Sequence, residues 1–193
     1  MTLSLALATL FFFQSPPTAS LPDNDFVRVT RGAAPCASGE ASCGDRIVIA
    51  LGSVTLNGKA MQRGEVKVFT AGERYAPPVG SEFLEVSVKP AHPRSALPPK
   101  QQPRSPNLNL LYENNDFVVF HESMQPGELG PEHSHYQRLT VTLNTSKVRQ
   151  WTDGKVAVRD LVADSVGFGP AVTHTSKDVG SAPISNLSIE FKP

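Results

Sequence analysis

Apolar and polar residues alternate along much of the chain. His133, His135, Gln137, Leu139, Val141 and Leu143 occupy every second position, so a strand over 133–143 gathers them on one face and sends Arg138, Thr140 and Thr142 to the other. That face is apolar toward its C-terminal end and opens with side chains able to ligate a metal. Ile47, Ile49 and Leu51 repeat the pattern upstream, with Cys43 in phase where the later segment has its histidines. Two more alternating runs, through Leu84, Val86 and Val88 and through Leu187, Ile189 and Phe191, have polar residues interleaved. Asn57-Gly58 and Asp153-Gly154 are dipeptides that two-residue hairpin turns favour. No segment sustains a 3.6-residue apolar period. The pattern predicts an all-β protein of short strands, built as sandwiches or small barrels.

The chain also repeats itself. Asn24-Asp25-Phe26-Val27 recurs as Asn115-Asp116-Phe117-Val118, and three further pairs follow in the same order. Asp45-Arg46-Ile47 parallels Gln137-Arg138-Leu139, Asn57-Gly58-Lys59 parallels Asp153-Gly154-Lys155, and Val86-Ser87-Val88-Lys89-Pro90 parallels Ile189-Glu190-Phe191-Lys192-Pro193. Colinear matches with drifting spacing are what two copies of one fold leave once loops lengthen. They divide the chain into module one, residues 23–88, and module two, residues 113–193. Residues 89–112 between them hold six prolines and four bases without an acid, and predict an extended, solvated linker.

Composition narrows the class. Seventeen prolines and fourteen glycines, with only 19% charged residues, argue against a helical bundle or coiled coil. Eighteen basic residues balance eighteen acidic ones, which leaves no charge-based case for a nucleic-acid partner. Leu3 to Phe13 is an apolar run well short of the ~20 residues a spanning helix needs, and small residues follow at Ala19 and Ser20. Residues 1–20 therefore read as a secretory signal peptide, giving a secreted or periplasmic protein with no membrane anchor after cleavage. A buried N-terminal strand is the alternative, since no Lys or Arg precedes the run. In an oxidising compartment Cys36 and Cys43, the only cysteines, are candidates for a disulfide; the other reading is two free core thiols.

Candidate chemistry lies in module two. Histidines at i and i+2 on a strand project side by side, so His133 and His135 can share a metal ion, and they equally suit packed or hydrogen-bonded imidazoles. Gly127 stands ahead of them, and Pro170-Ala171-Val172-Thr173-His174 follows a strand-like Val166-Gly167-Phe168. This frame resembles the cupin superfamily. Its first motif is a glycine, five residues, His-x-His, three or four residues, a glutamate, then six residues and a glycine. Its second is a glycine, five residues, Pro-x-Gly, two residues, a histidine, three residues and an asparagine.

By that resemblance His133, His135 and His174 match the three motif histidines, Asp164 stands at the second motif's leading glycine, Pro170 at its proline, Val172 at its inner glycine and Asp178 at its asparagine. The glutamate is missing, with Leu139 or Thr140 in its place, and Gln137 is the candidate extra ligand. Module one keeps the second motif's spacing in Gly64, Thr70-Ala71-Gly72 and Tyr75 without a histidine, and Ala41-Ser42-Cys43 stands near the place of the first motif. The resemblance implies tandem cupin jelly-roll β-barrels, a bicupin, with a structural first module and one site in the second for Zn, Fe, Mn, Ni or Cu. It also implies a small-molecule ligand and a homodimer.

Two functions follow. One is a small-molecule-binding protein with a histidine-based metal site. The other is a metal-dependent enzyme of dioxygenase, isomerase or decarboxylase type, for which Glu132, Asp164 and Tyr136 are the nearest candidate acids and bases. His121 is expected in a surface or satisfied core role and His92 in solvent. Gly167-Phe168-Gly169 lacks the third glycine of a dinucleotide loop, and no Gly-x-Ser-x-Gly elbow occurs.

Overall fold

The computed structural model describes residues 20–40, 42–101 and 103–193; the expected signal segment, apart from Ser20, lies outside them. Among the described residues all regular structure is β, and no helix is long and apolar enough to cross a membrane. The first repeat comprises β1 (Val27–Arg31), β2 (Arg46–Ala50), β3 (Val54–Leu56), β4 (Lys59–Met61), β5 (Val66–Phe69) and β6 (Phe83–Val88). Its strands form one antiparallel sheet, β1-β6-β2-β5, and the separate hairpin β3-β4.

The second repeat opens with β7 (Leu108–Glu113) and β8 (Phe117–Met124), continues through β9 (Leu129–His135), β10 (Arg138–Thr142), β11 (Ser146–Thr152) and β12 (Lys155–Leu161), and closes with β13 (Val166–Gly169), β14 (Val172–Asp178) and β15 (Ile184–Phe191). Two sheets result, β13-β10-β15-β8-β7 and β12-β11-β14-β9. Both expected hairpin turns form. Asn57 and Gly58 have φ of 50° and 75°, and Asp153 and Gly154 have 49° and 73°, the left-handed pair of a type I′ turn.

Register makes the repeat exact in space and corrects one match. Val27 pairs with Val88 as Phe117 pairs with Phe191, and Arg46 faces Ser87 as Arg138 faces Glu190. Asn24 Oδ1 accepts the N–H groups of Phe26 and Val27, and Asn114 Oδ1 those of Asp116 and Phe117. The counterpart of Asn24 is thus Asn114 and not Asn115, because a side-chain-capped turn fixes which residue enters the strand. Gly64 and Asp164 likewise coincide: their N–H groups bond Ala50 O and Thr142 O, and φ is 85° and 64°. Asp stands at a motif-glycine position because its short polar side chain tolerates the left-handed region.

The two repeats share one core. The β1-β6-β2-β5 sheet packs on the five-stranded sheet, bringing Ile47, Leu84 and Val86 against Val119, Val141 and Ile189, all fully buried. Each such side chain contributes about 1.5–3 kcal/mol by leaving water. Leu139, Val141, Leu187 and Ile189 therefore point to the other repeat, and their strand neighbours Arg138, Thr140, Asn186, Ser188 and Glu190 point into the barrel.

The uninterrupted strand expected over 133–143 is not formed. Tyr136 and Gln137 break it, so His135 and Arg138, an odd number of residues apart, face the same interior.

The interiors differ. In the first repeat Phe69, Phe83, Tyr75, Met61 and Leu56 fill the space, with Phe69 and Tyr75 stacked at 4.1 Å. The second sheet there is reduced to the hairpin and to loops tied by a Cys36–Cys43 disulfide, Cα–Cα 5.9 Å. Register places Gly169 where the first repeat has Phe69, and Asn186 where it has Phe83. The second interior stays hollow.

Most described residues of the proline segment are exposed, as expected of a solvated linker, but the segment is also strapped to the protein at several points. Lys100 O accepts from Ser134 Oγ (2.6 Å) and Thr173 Oγ1 (2.8 Å), Ser95 and Ser105 are buried, and β7 already begins at Leu108. His92, expected in solvent, stacks on Phe26 at 5.8 Å and meets Phe191 edge-on at 5.4 Å.

Candidate metal centre

Strands β9 and β14 pair antiparallel with His133 opposite His174 and His135 opposite Val172. Cross-strand pairing thus adds His174 to the two imidazoles that strand alternation already places on the inner face. The three histidines are 1%, 3% and 5% exposed, and one ring nitrogen from each lies within 4.8 Å of the others.

Hydrogen bonds fix the tautomers. His133 Nδ1 donates to Pro131 O at 2.8 Å, and His135 Nδ1 donates to the Glu190 carboxylate at 2.5 Å. Both residues therefore present an Nε2 lone pair to the centre. His174 Nε2 donates to His133 Nε2 at 3.1 Å while its Nδ1 accepts from Gln150 Nε2 at 3.4 Å. To ligate through Nε2, His174 carries its proton on Nδ1, where the Gln150 amide can present its oxygen. Three neutral imidazoles with outer atoms held in this way are a donor set that fits Zn, Fe, Mn, Ni or Cu.

Burial and charge keep the rings neutral. His174 is pushed down to about 2 by burial first and then by the other two histidines, Arg138 and Arg159. Burial, then the charge of Arg138, also holds His135 well below the ordinary histidine range. Burial raises Glu190, against the opposing pull of Arg138.

Gln137 does not join the site. Its Oε1 accepts from Ala96 N at 3.1 Å in the linker strap, because the break after His135 turns it out of the strand. Position 140, one of the two places for the missing glutamate, carries Thr140, which faces inward without a carboxylate. The carboxylate that is present, Glu190, arrives from β15 and holds His135 from behind.

A cavity of about 230 Å³ adjoins the histidines, lined by His135 and His174 together with Glu122, Arg138, Arg159 and Asn186, among others. Glu122 accepts from Asn186 Nδ2 at 3.0 Å. Burial depresses Arg138 below the usual guanidinium range. The expected acids and bases lie elsewhere. Glu132 is 4.0 Å from Lys100 Nζ and Asp164 is 2.6 Å from Arg63 Nη2, while Tyr136 enters through its backbone N–H, 3.2 Å from Glu190 Oε2. His121 is satisfied by Ser185 Oγ at 2.8 Å.

No family model and no curated protein matches the chain. Solved structures do. Oxalate decarboxylase from Bacillus subtilis, described with Mn(II) centres, is 14% identical over 77% of this chain and 63% of its own, with a TM-score of 0.51. This chain thus spans less than two thirds of that protein. A cupin 2 conserved barrel domain protein from Leptotrichia buccalis is 15% identical over 86% of this chain and 78% of its own, TM-score 0.49. A cupin domain from Bordetella pertussis is 18% identical over 49% of this chain and 99% of its own, TM-score 0.43. The fold is the cupin fold.

Proposed function

We propose that this chain is a secreted or periplasmic small-molecule-binding protein in which His133, His135 and His174 hold a divalent metal beside the cavity of the second repeat. The observation that carries the reading is the convergence of three buried imidazoles, two with their Nδ1 protons committed to Pro131 O and Glu190, on one point at a cavity wall. A collapsed first repeat supports one site per chain, and the Cys36–Cys43 disulfide fits an oxidising compartment. The homodimer belongs to the same proposal: edge strand β12 exposes Val156 and Val158 and can pair with a second copy.

Metal content tests it. The purified protein, offered Zn, Fe, Mn, Ni and Cu in turn, is expected to retain one ion per chain, and His133→Ala and His174→Ala to lose it. Failure to retain any of the five overturns the metal reading.

A second reading, a metal-dependent enzyme of dioxygenase, isomerase or decarboxylase type, draws on Glu122. Its carboxylate lines the cavity within the same enclosure as His135 and His174, where it can take or give a proton to a bound molecule. A metal at the histidines supplies polarisation of a ligand oxygen or activation of water. Asn186 orients Glu122, and Glu190 orients His135. Turnover abolished by Glu122→Gln with metal content unchanged would favour this reading over simple binding.

A further inference from the structure

We infer that the cavity of the second repeat takes a small carboxylate, seated on the guanidinium of Arg138, whose distal end gives hydrogen bonds to Asn186 and Ser188. This deepens the reading of the cavity as a ligand pocket and rests on it, but it does not require the metal.

The internal repeat supplies a control for Arg138. Arg46 holds the equivalent position, opposite Ser87 and Phe69 as Arg138 is opposite Glu190 and Gly169. In the first repeat the arginine is walled in by the protein, with Nε and Nη1 left without a hydrogen-bond partner and no room beside them for a ligand. Arg46 is wholly buried, its Nη2 donates to Thr70 O (3.0 Å) and to Glu73 O, its guanidinium lies 6.0 Å from the Tyr75 ring centre, and Phe69 occupies the neighbouring space. In the second repeat Phe69 becomes Gly169, where an added Cβ would meet no atom within 4 Å. Arg138 makes one long hydrogen bond, 3.4 Å from Nη1 to Pro170 O, and among the described residues it has no carboxylate oxygen within 4.0 Å. Most of its N–H donors are left to whatever fills the cavity. A planar fork with paired donors matches a carboxylate two bonds at a time, and a neutral amide cannot reproduce that.

The far end is polar and unsatisfied. Asn186 Oδ1 and Ser188 Oγ, on residues 6% and 2% exposed, have no hydrogen-bond partner, and both residues line the cavity. An amide oxygen accepts only, so its complement is a hydroxyl or amine on the ligand. In the first repeat Phe83 and Glu85 stand in these two places. The room for the ligand and the groups that would hold it are therefore found in the same repeat and missing together from the other. At about 230 Å³ the cavity admits a small molecule, up to about eight heavy atoms at the roughly 30 Å³ that a water takes in the liquid.

The test is calorimetric titration of the full chain, stripped of metal and verified by elemental analysis, with acetate, lactate and 4-hydroxybutyrate and with the three matching amides. The carboxylates are expected to bind, the hydroxylated ones more tightly, and the amides to bind at least about tenfold more weakly. Arg138→Gln should weaken carboxylate binding by a similar factor. Gly169→Phe, which copies Phe69 of the first repeat and changes no charge, should block it while the protein stays folded. Absence of carboxylate binding at millimolar concentration, equal binding of the amides, or binding indifferent to both variants overturns the inference. Carboxylate binding by a protein that retains no metal removes the metal reading and leaves this one standing; retained metal without carboxylate binding does the reverse.

Discussion

The Nδ1 of His135 lies 2.5 Å from Oε1 of Glu190, and the two residues are 3% and 4% exposed. A carboxylate behind a ligating imidazole fixes the ring's orientation and its tautomer and raises its basicity. Glu190→Gln keeps the shape but removes the charged acceptor. Metal affinity, measured by competition with a chromogenic chelator, is expected to fall about 10–100-fold, with the unfolding transition remaining cooperative. An unchanged affinity would mean that Glu190 serves packing alone.

This pair also marks the limit of what the sequence made legible. His133 and His135 were found because strand alternation is local, and His174 because a short motif frame led to it. Glu190 was not, since it is 55 residues from His135 and is one of the polar residues interleaved in an alternating run, with no local sign of what it meets. Alternation tells which residues share a face, not what that face meets. Here the apolar face of β15 meets the other repeat, and its polar face lines a cavity. The same ambiguity placed Arg138 outside and Gln137 inside, because a two-residue break that inverts the phase carries no strong turn signal.

Arg63 clasps the two repeats. Its side chain donates to Leu143 O (3.1 Å from Nε, 2.5 Å from Nη2), to Leu51 O, and to Asp164 Oδ1 at 2.6 Å. Both carbonyls belong to buried leucines, so removing the donor strands them. Arg63→Ala should cost about 1–3 kcal/mol in urea unfolding. Asp164→Asn should cost much less, since that ion pair is more than a third exposed on both sides.

The Cys36–Cys43 bridge closes a short loop over the first repeat's interior, where Cys36 N donates to Glu85 Oε1 at 3.3 Å. The loop-closure estimate for so short a ring is about 2–3 kcal/mol. Cys36→Ser/Cys43→Ser should lose about that much while leaving metal binding in the second repeat intact. Thiol labelling before and after reduction checks that both cysteines are oxidised in the parent.

The metal-free protein should weaken steadily in mild acid. His174 has a folded-state pKa of about 2 against an ordinary 6.5, and His135 is depressed in the same direction. Below about 6.5 the unfolded chain takes up protons at both positions and the folded chain does not. The stability present above the ordinary value is therefore lost as pH falls toward the folded one, by about 1.4 kcal/mol per pH unit for each histidine. Glu190 works the other way: its pKa is raised, so the folded state gains relative to the unfolded one as pH drops through the raised value toward 4.5. Urea midpoints measured between pH 7 and pH 5 (roughly the upper part of this window) should fall steeply in the parent. His174→Gln should flatten the slope by about one histidine's share, and a slope unaffected by that substitution would contradict burial of His174 as a neutral base.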